Sequence, residues 1–166
     1  MQKISPFLWF DNQAEEAARF YVSVFPNSRM GEMVRYGEAG PGPAGTVMTV
    51  SFQLDGRDFI ALNGGPQFKF TEAVSFSVDC ATQAEVDAIW DRLVEGGEPG
   101  PCGWLKDRFG LSWQVVPSIL PKLIADPDPA RSKRVMEAMF RMGKLDIAAL
   151  ERAHAGLEDG AAATAP

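Results

Sequence analysis

Cys102-Gly103-Trp104-Leu105-Lys106-Asp107-Arg108-Phe109-Gly110-Leu111-Ser112-Trp113-Gln114-Val115-Val116 reads as a strand, a tight turn and a second strand. Leu105 leads into the turn from Lys106 to Gly110, where Gly110 is free to take a positive φ. Leu111 to Val116 then alternates in side-chain direction and is rich in β-formers. Leu111, Trp113 and Val115 point one way, and Ser112, Gln114 and Val116 the other. The first face needs an apolar backing, while the second carries an amide that needs a partner. That second face is expected to be the wall of a binding site, with Gln114 its most telling residue.

Upstream, Ala73 to Val78 is a further strand, and Thr82 with Glu85 forms a capping pair for a helix whose face is Val86, Ile89, Trp90, Leu93 and Val94. The same order occurs earlier. An apolar run from Ile4 to Phe10 precedes Asn12 and Glu15, read as another capping pair, and then Ala14, Ala17, Ala18, Tyr21, Val24 and Phe25 at helical spacing. Gln13-Ala14-Glu15 and Gln83-Ala84-Glu85 are identical and 70 residues apart, each at the start of its helix. Matching strand, cap and helix in one register point to an internal duplication. Three strands follow the first helix: Met30 to Tyr36, Thr46 to Leu54 and Arg57 to Asn63. Asp55-Gly56 joins the last two as a hairpin. Gly37 to Gly45 is expected to be a mobile loop, since its prolines and the lack of a following helix do not suit a phosphate cradle. In the second half, Glu95 to Pro101 is a Gly/Pro-rich connection, so that half is shortened.

From Ser118 the pattern is helical. Ile119, Leu120, Leu123 and Ile124 make a short turn; Asp128 and Pro129 start a helix lined by Val135, Met136, Met139 and Phe140; Asp146 caps a last one ending near His154. The chain is thus divided into a first module (residues 3–66), a second (73–117) and C-terminal helices (118–155). Residues 156–166 are expected to form a disordered tail.

The 166 residues suit one domain or two small halves, and 46% hydrophobic with 23% charged residues is ordinary for a globule. A net charge of −6 without a Lys/Arg cluster argues against nucleic acid or an anionic membrane as partner. No signal-peptide pattern opens the sequence, and no apolar run approaches a membrane span. Cys80 and Cys102 are the only cysteines and read as free thiols, so a cytoplasmic protein is expected.

The single histidine, His154, lies beside Glu151 and Arg152 and is read as solvated. A Ser-His-Asp or Cys-His arrangement is therefore not expected. One His and two Cys do not supply four ligands for a zinc site of that kind. The β-α junctions, Asp-Asn-Gln and Asp-Cys-Ala-Thr-Gln, lack the glycine fingerprint of a dinucleotide fold. Trp90 and Trp113 are read as core, Trp9 is left open between core and pocket, and Lys106 with Asp107 is read as a solvated turn pair. What remains is a pocket of amides, hydroxyls and aromatics.

The repeated β-α-β-β-β unit resembles the vicinal oxygen chelate superfamily of glyoxalase I, extradiol dioxygenases and bleomycin-resistance proteins. Pro6-Phe7-Leu8-Trp9-Phe10-Asp11 with Phe20-Tyr21, Ala61 to Pro66, and Cys102-Gly103-Trp104-Leu105-Lys106-Asp107 through Trp113-Gln114 resemble its PhnB-like branch, often labelled 3-demethylubiquinone-9 3-methyltransferase. The resemblance, read over residues 3 to 155, implies an α+β fold. In it two βαβββ-type modules, the second abbreviated, form curled mixed sheets around a cavity, with C-terminal helices added. Metal-using members place four ligands facing that cavity. Carried over, these positions fall at Ser5 or Pro6, at Ala61 with Asn63 beside it, near Ser75, and at Gln114, with no His or carboxylate among them. No metal and no cofactor are therefore expected. The methyltransferase label is read as an inherited name, since no site for a methyl-donor nucleotide is visible. The expectation is a metal-independent pocket for a small molecule, built from Ser5, Phe7, Trp9, Ala61, Asn63, Ser75, Trp104, Ser112 and Gln114. Whether it catalyses a reaction is open. A metal-dependent lyase or dioxygenase and a drug- or toxin-sequestering protein are the alternatives. The resemblance also implies a homodimer, for which Met136, Met139 and Met142 offer an adaptable apolar surface.

Overall fold

The computed structural model describes residues 3–157 and divides the chain between Thr71 and Glu72 into two units, each with its own sheet. The first unit holds β1 (Phe7–Phe10), α1 (Ala14–Val24), β2 (Arg29–Arg35), β3 (Val47–Leu54) and β4 (Arg57–Asn63). The second holds β5 (Ser75–Cys80), α2 (Gln83–Val94), β6 (Glu98–Pro99), β7 (Trp104–Lys106) and β8 (Ser112–Pro117). Strand order is β1-β4-β3-β2 in one sheet and β5-β8-β7-β6 in the other. In both, the first and last strands of the unit run parallel and the remaining neighbours antiparallel. Two units with one topology are what the repeated strand, helix start and helix imply. The fold is α+β.

The expected hairpin is formed: Asp55 (φ 45°) and Gly56 (φ 74°) both take the left-handed conformation that a two-residue turn between twisted strands requires. Strand β6 lies inside the stretch read as a mere connection. Gly97 admits it, because a Cβ there would sit 2.1 Å from the Lys106 carbonyl oxygen. The Gly37–Gly45 segment is folded onto Tyr36, whose ring is buried and whose backbone N–H and C=O bond Thr46 and Gly45.

Each sheet buries the face its helix covers. Ala14, Ala17, Ala18 and Tyr21 of α1 are buried against β3 and β4, with the Tyr21 ring stacked 6.3 Å from Phe52 and Phe52 5.4 Å from Phe59. In the second unit Val86, Trp90 and Leu93 of α2 are buried, as are Leu105, Leu111, Trp113 and Val115. The alternation read from Leu111 to Val116 therefore holds, and Trp90 and Trp113 are core. Each such side chain contributes roughly 1.5–3 kcal/mol on leaving water.

The helix starts were read correctly in three cases out of four. Thr82 accepts from Glu85 N–H at 3.2 Å, while the Glu85 carboxylate accepts from Ala81 N–H at 2.7 Å. Asp128 and Asp146 cap their helices through Ala130 and Ala149 N–H. At α1 the N-cap is Gln13, with no side-chain bond. The Ala14 N–H is instead taken at 2.8 Å by Asn63 Oδ1 from β4. A distant strand does what Asn12 was expected to do.

The turn between β7 and β8 carries the largest correction. Asp107 is not solvated but 3% exposed. Its Oδ1 accepts from Phe109 and Leu111 N–H at 2.8 and 3.1 Å, and its Oδ2 from the Trp113 indole at 2.8 Å. A buried carboxylate is tolerated only when its lone pairs are used in this way.

Helices α3 (Leu120–Ile124), α4 (Pro129–Phe140) and α5 (Ile147–Ala155) pack Leu120, Leu123, Val135, Leu145 and Leu150 into one cluster, which Val116 of β8 joins. His154 is engaged rather than free in solvent: its Nε2 lies 2.7 Å from Asp126 Oδ2, both groups being partly buried. Arg134 donates to the Ala153 and His154 carbonyls at the end of the same helix. Of the expected tail, residues 158–166 lie outside the described residues.

Asp107→Ala should cost about 1–3 kcal/mol in urea unfolding, because it leaves the Trp113 N–H without its acceptor in the core. The Asp126 carboxyl is held below its ordinary value by the Asp128 N–H and then by His154. A depressed folded value means the stabilisation is full above the ordinary carboxyl value near 3.8 and is lost as pH falls through the lower one. Melting temperature followed against pH should show an acid limb that is shallower in Asp126→Asn.

Candidate functional site

A parallel register decides which residues share a face. Phe7, Leu8, Trp9 and Phe10 stand opposite Ile60, Ala61, Leu62 and Asn63. Ala61, fully buried, therefore shares the helix-covered face with Leu8, and Asn63 shares it with Phe10. Asn63 is further engaged by donating to Val47 C=O at 3.1 Å, besides holding the start of α1. Phe7, 56% exposed, and Trp9 lie on the opposite face. Trp9 donates to the Gly65 carbonyl at 2.8 Å and meets Phe68 edge-on at 5.0 Å. Gly64 lies flat against its ring, where a Cβ would come within 2.3 Å. Ser5 lines a separate groove of ≈ 360 Å³ with Ser51, Gln53 and Asp58. So the first-unit candidates do not form one group: Ala61 and Asn63 face the helix, and the others do not.

The second-unit candidates do come together. Ser75, Ser112, Gln114 and Trp104 share the sheet face turned away from α2, as the pairings Ser75 with Ser112 and Trp104 with Gln114 require. Gln114 donates from Nε2 to Ser75 Oγ at 2.9 Å, so the amide finds its partner within the sheet. Ser112, one pairing away, is 1% exposed, and its hydroxyl oxygen has no hydrogen-bond partner among the described residues. Ser112 and Trp104 line a cleft of ≈ 660 Å³ whose opposite wall is Met136, Met139 and Phe140 of α4. Cys102 and the Gly100-Pro101 backbone close one side.

Glu72, Glu98 and Lys106 also line this cleft. Lys106 is ion-paired with Glu72 and stands opposite Glu98 in the β6–β7 pairing. The Glu72 bond, then its charge, and more weakly the charge of Glu98 push the lysine up, and the same bond draws the Glu72 carboxyl down. Cys80 is buried away from the cleft, and burial, with Glu85 and Asp79 adding, pushes it up to about 11.

Three cleft residues on α4 and three charged ones were not legible as a site. Met136, Met139 and Phe140 read as one apolar helix face, with the methionines offered to a second copy of the chain, and nothing in sequence says which sheet they approach. The four positions carried over for metal ligands offer a serine or proline, an alanine under a helix, a serine already bonded and a glutamine bonded to it. That donor set does not fit a divalent cation, which calls for carboxylates or imidazoles.

Two units of identical βαβββ topology define a protein of the vicinal oxygen chelate fold. A family model described as 3-demethylubiquinone-9 3-methyltransferase matches residues 2–116, and the chain belongs to that family, the PhnB-like branch of the superfamily. A Bacillus cereus PhnB protein of known structure, described as a 3-demethylubiquinone-9 3-methyltransferase homologue, is 38% identical. The match covers 70% of this chain and 99% of that one, with a TM-score of 0.63. A Pseudomonas aeruginosa protein, 22% identical, matches over 70% and 98% with a TM-score of 0.59 and shares the fold. No curated protein matches. The family match stops before α3, short of the residue 155 read from the sequence, so the wall of Met136, Met139 and Phe140 lies beyond it.

Asn63→Ala should lower stability by about 1–2 kcal/mol through loss of the α1 cap. Asn63→Asp should recover part of it in urea unfolding, since the accepting oxygen is kept.

Proposed function

We propose that this chain is a metal-independent small-molecule-binding protein whose site is the cleft on the open face of the second sheet. The observation that carries this reading is the Ser112 hydroxyl, buried without a protein partner beside a roomy cleft with apolar walls. Leaving such a group unpaired costs about 1–3 kcal/mol, which a bound molecule offering one polar atom offsets. Trp104 supplies a flat surface, and Met136 and Met139 adapt to the shape of what binds. Gln114 and Ser75, bonded to each other, lie on the same sheet face as Ser112 and Trp104.

The cleft lining holds no histidine, and the one histidine of the chain is engaged at Asp126. Binding is accordingly the function proposed, with catalysis on the bound metabolite left to the test below. Methyl transfer is not part of the reading: both sheets are four-stranded and mixed, and neither β-α junction has the glycine fingerprint of a nucleotide fold. A homodimer in the cytoplasm is proposed as the working form. No helix among the described residues is long and apolar enough to cross a membrane.

Native mass spectrometry of the protein from its own cells should show a dimer carrying a small organic molecule and no stoichiometric metal. Stoichiometric Mn, Fe, Ni or Zn would overturn metal independence, and a molecule released chemically changed would assign an enzyme. Ser112→Ala and Trp104→Ala should each weaken retention by about tenfold, on the order of one lost hydrogen bond or aromatic contact, with the circular dichroism unchanged.

A further inference from the structure

The charges around the cleft restrict what it accepts. Its lining contains one cation, Lys106, and two carboxylates, Glu72 and Glu98. The lysine is held by Glu72 in an ion pair and faces Glu98 across the β6–β7 pairing. Its charge is thus already satisfied, and the cleft has a net charge of −1, the sum of one positive and two negative groups. An anion entering would have to displace Glu72 from Lys106 and approach Glu98, both unfavourable. A cation meets the reverse: two carboxylates share the single lysine, and the Trp104 ring face attracts positive charge. The rest of the lining is mostly apolar, and the buried Ser112 hydroxyl has no partner among the described residues.

We infer that the cleft selects small amine- or amidine-bearing amphiphiles and rejects anions. The apolar body lies between Trp104 and the Met136–Met139 wall, a polar atom of the ligand meets Ser112 Oγ, and the cationic group faces Glu98 and Glu72. This rests on the reading of the cleft as the binding site. One apolar wall belongs to α4, outside the stretch the family model matches, whereas Glu72, Glu98 and Lys106, which set the charge selection, lie within it.

Three probes of similar shape test it: benzamidine, benzamide and phenylphosphonate, each titrated into the full chain. The readout is the Trp104 indole signal by NMR, which separates binding in the cleft from adsorption of a cation to an acidic surface. The expected order of affinity is benzamidine, then benzamide, then phenylphosphonate, with steps on the order of three- to tenfold, as expected for unit charges a few ångströms apart in a wet site. Glu72→Gln combined with Glu98→Gln should reverse the order by freeing Lys106, while Ser112→Ala should weaken all three alike. Equal affinities, or tighter phenylphosphonate in the unaltered protein, would overturn the charge selection while leaving the cleft as the site. If none of the three moves the Trp104 signal, the cleft itself is refuted as the site and the selectivity falls with it.

Discussion

The carboxylate of Asp107 is the constraint on which the second unit depends. It spans the β7–β8 turn, taking two backbone N–H groups at one oxygen and the Trp113 indole at the other. The turn is thereby tied to the core beneath it, since Trp113 packs 5.5 Å from Phe76 under α2. With the turn locked, the alternation along β8 has only one register, and a slip by one residue would exchange the faces of Trp113 and Ser112. The apolar face goes to the helix, and the polar face is left open to line a cleft. A charged group set in the interior of a turn does not add stability by its charge; it specifies which geometry the turn takes.

The duplication was legible because it is written locally. The strand, the helix start and the apolar stripe of each helix recur in one order, and both units fold with the same strand sequence. The two copies have nonetheless diverged at the point where the helix begins. Thr82 caps α2 from the adjacent residue, whereas α1 takes its cap from Asn63, at the far end of its own unit. That exchange removed Asn63 from the pocket it was expected to line. The same divergence shows on the open faces: in the first unit Trp9 is covered by Gly64 and Phe68, while in the second Trp104 remains at a cleft.

The C-terminal helices change the character of the site. Their cluster of Leu120, Leu123, Val135, Leu145 and Leu150 is joined by Val116, so α4 is anchored to the end of β8. Met139 packs on that cluster and also lines the cleft, which makes the wall continuous with a core rather than a loose flap. Methionines in such a wall yield to the shape of an occupant at little energetic cost.

Side-chain period, turn chemistry and capping residues are short-range properties, and they were enough to determine the α+β class, the repeat, the hairpin at Asp55-Gly56 and the core side of Trp90 and Trp113. Tertiary structure alone decided what each polar group bonds. Asp107 and His154 read as solvated because charged residues in turns and at helix ends usually are, and their partners Trp113 and Asp126 are identified only by folding. Likewise, Ala61 was assigned to the open face by analogy of position, and the parallel pairing of β1 with β4 put it under the helix. The shift of emphasis from Gln114 to Ser112 has the same cause: both lie on one face of one strand, and only the packed molecule gives the glutamine a partner while leaving the serine without one.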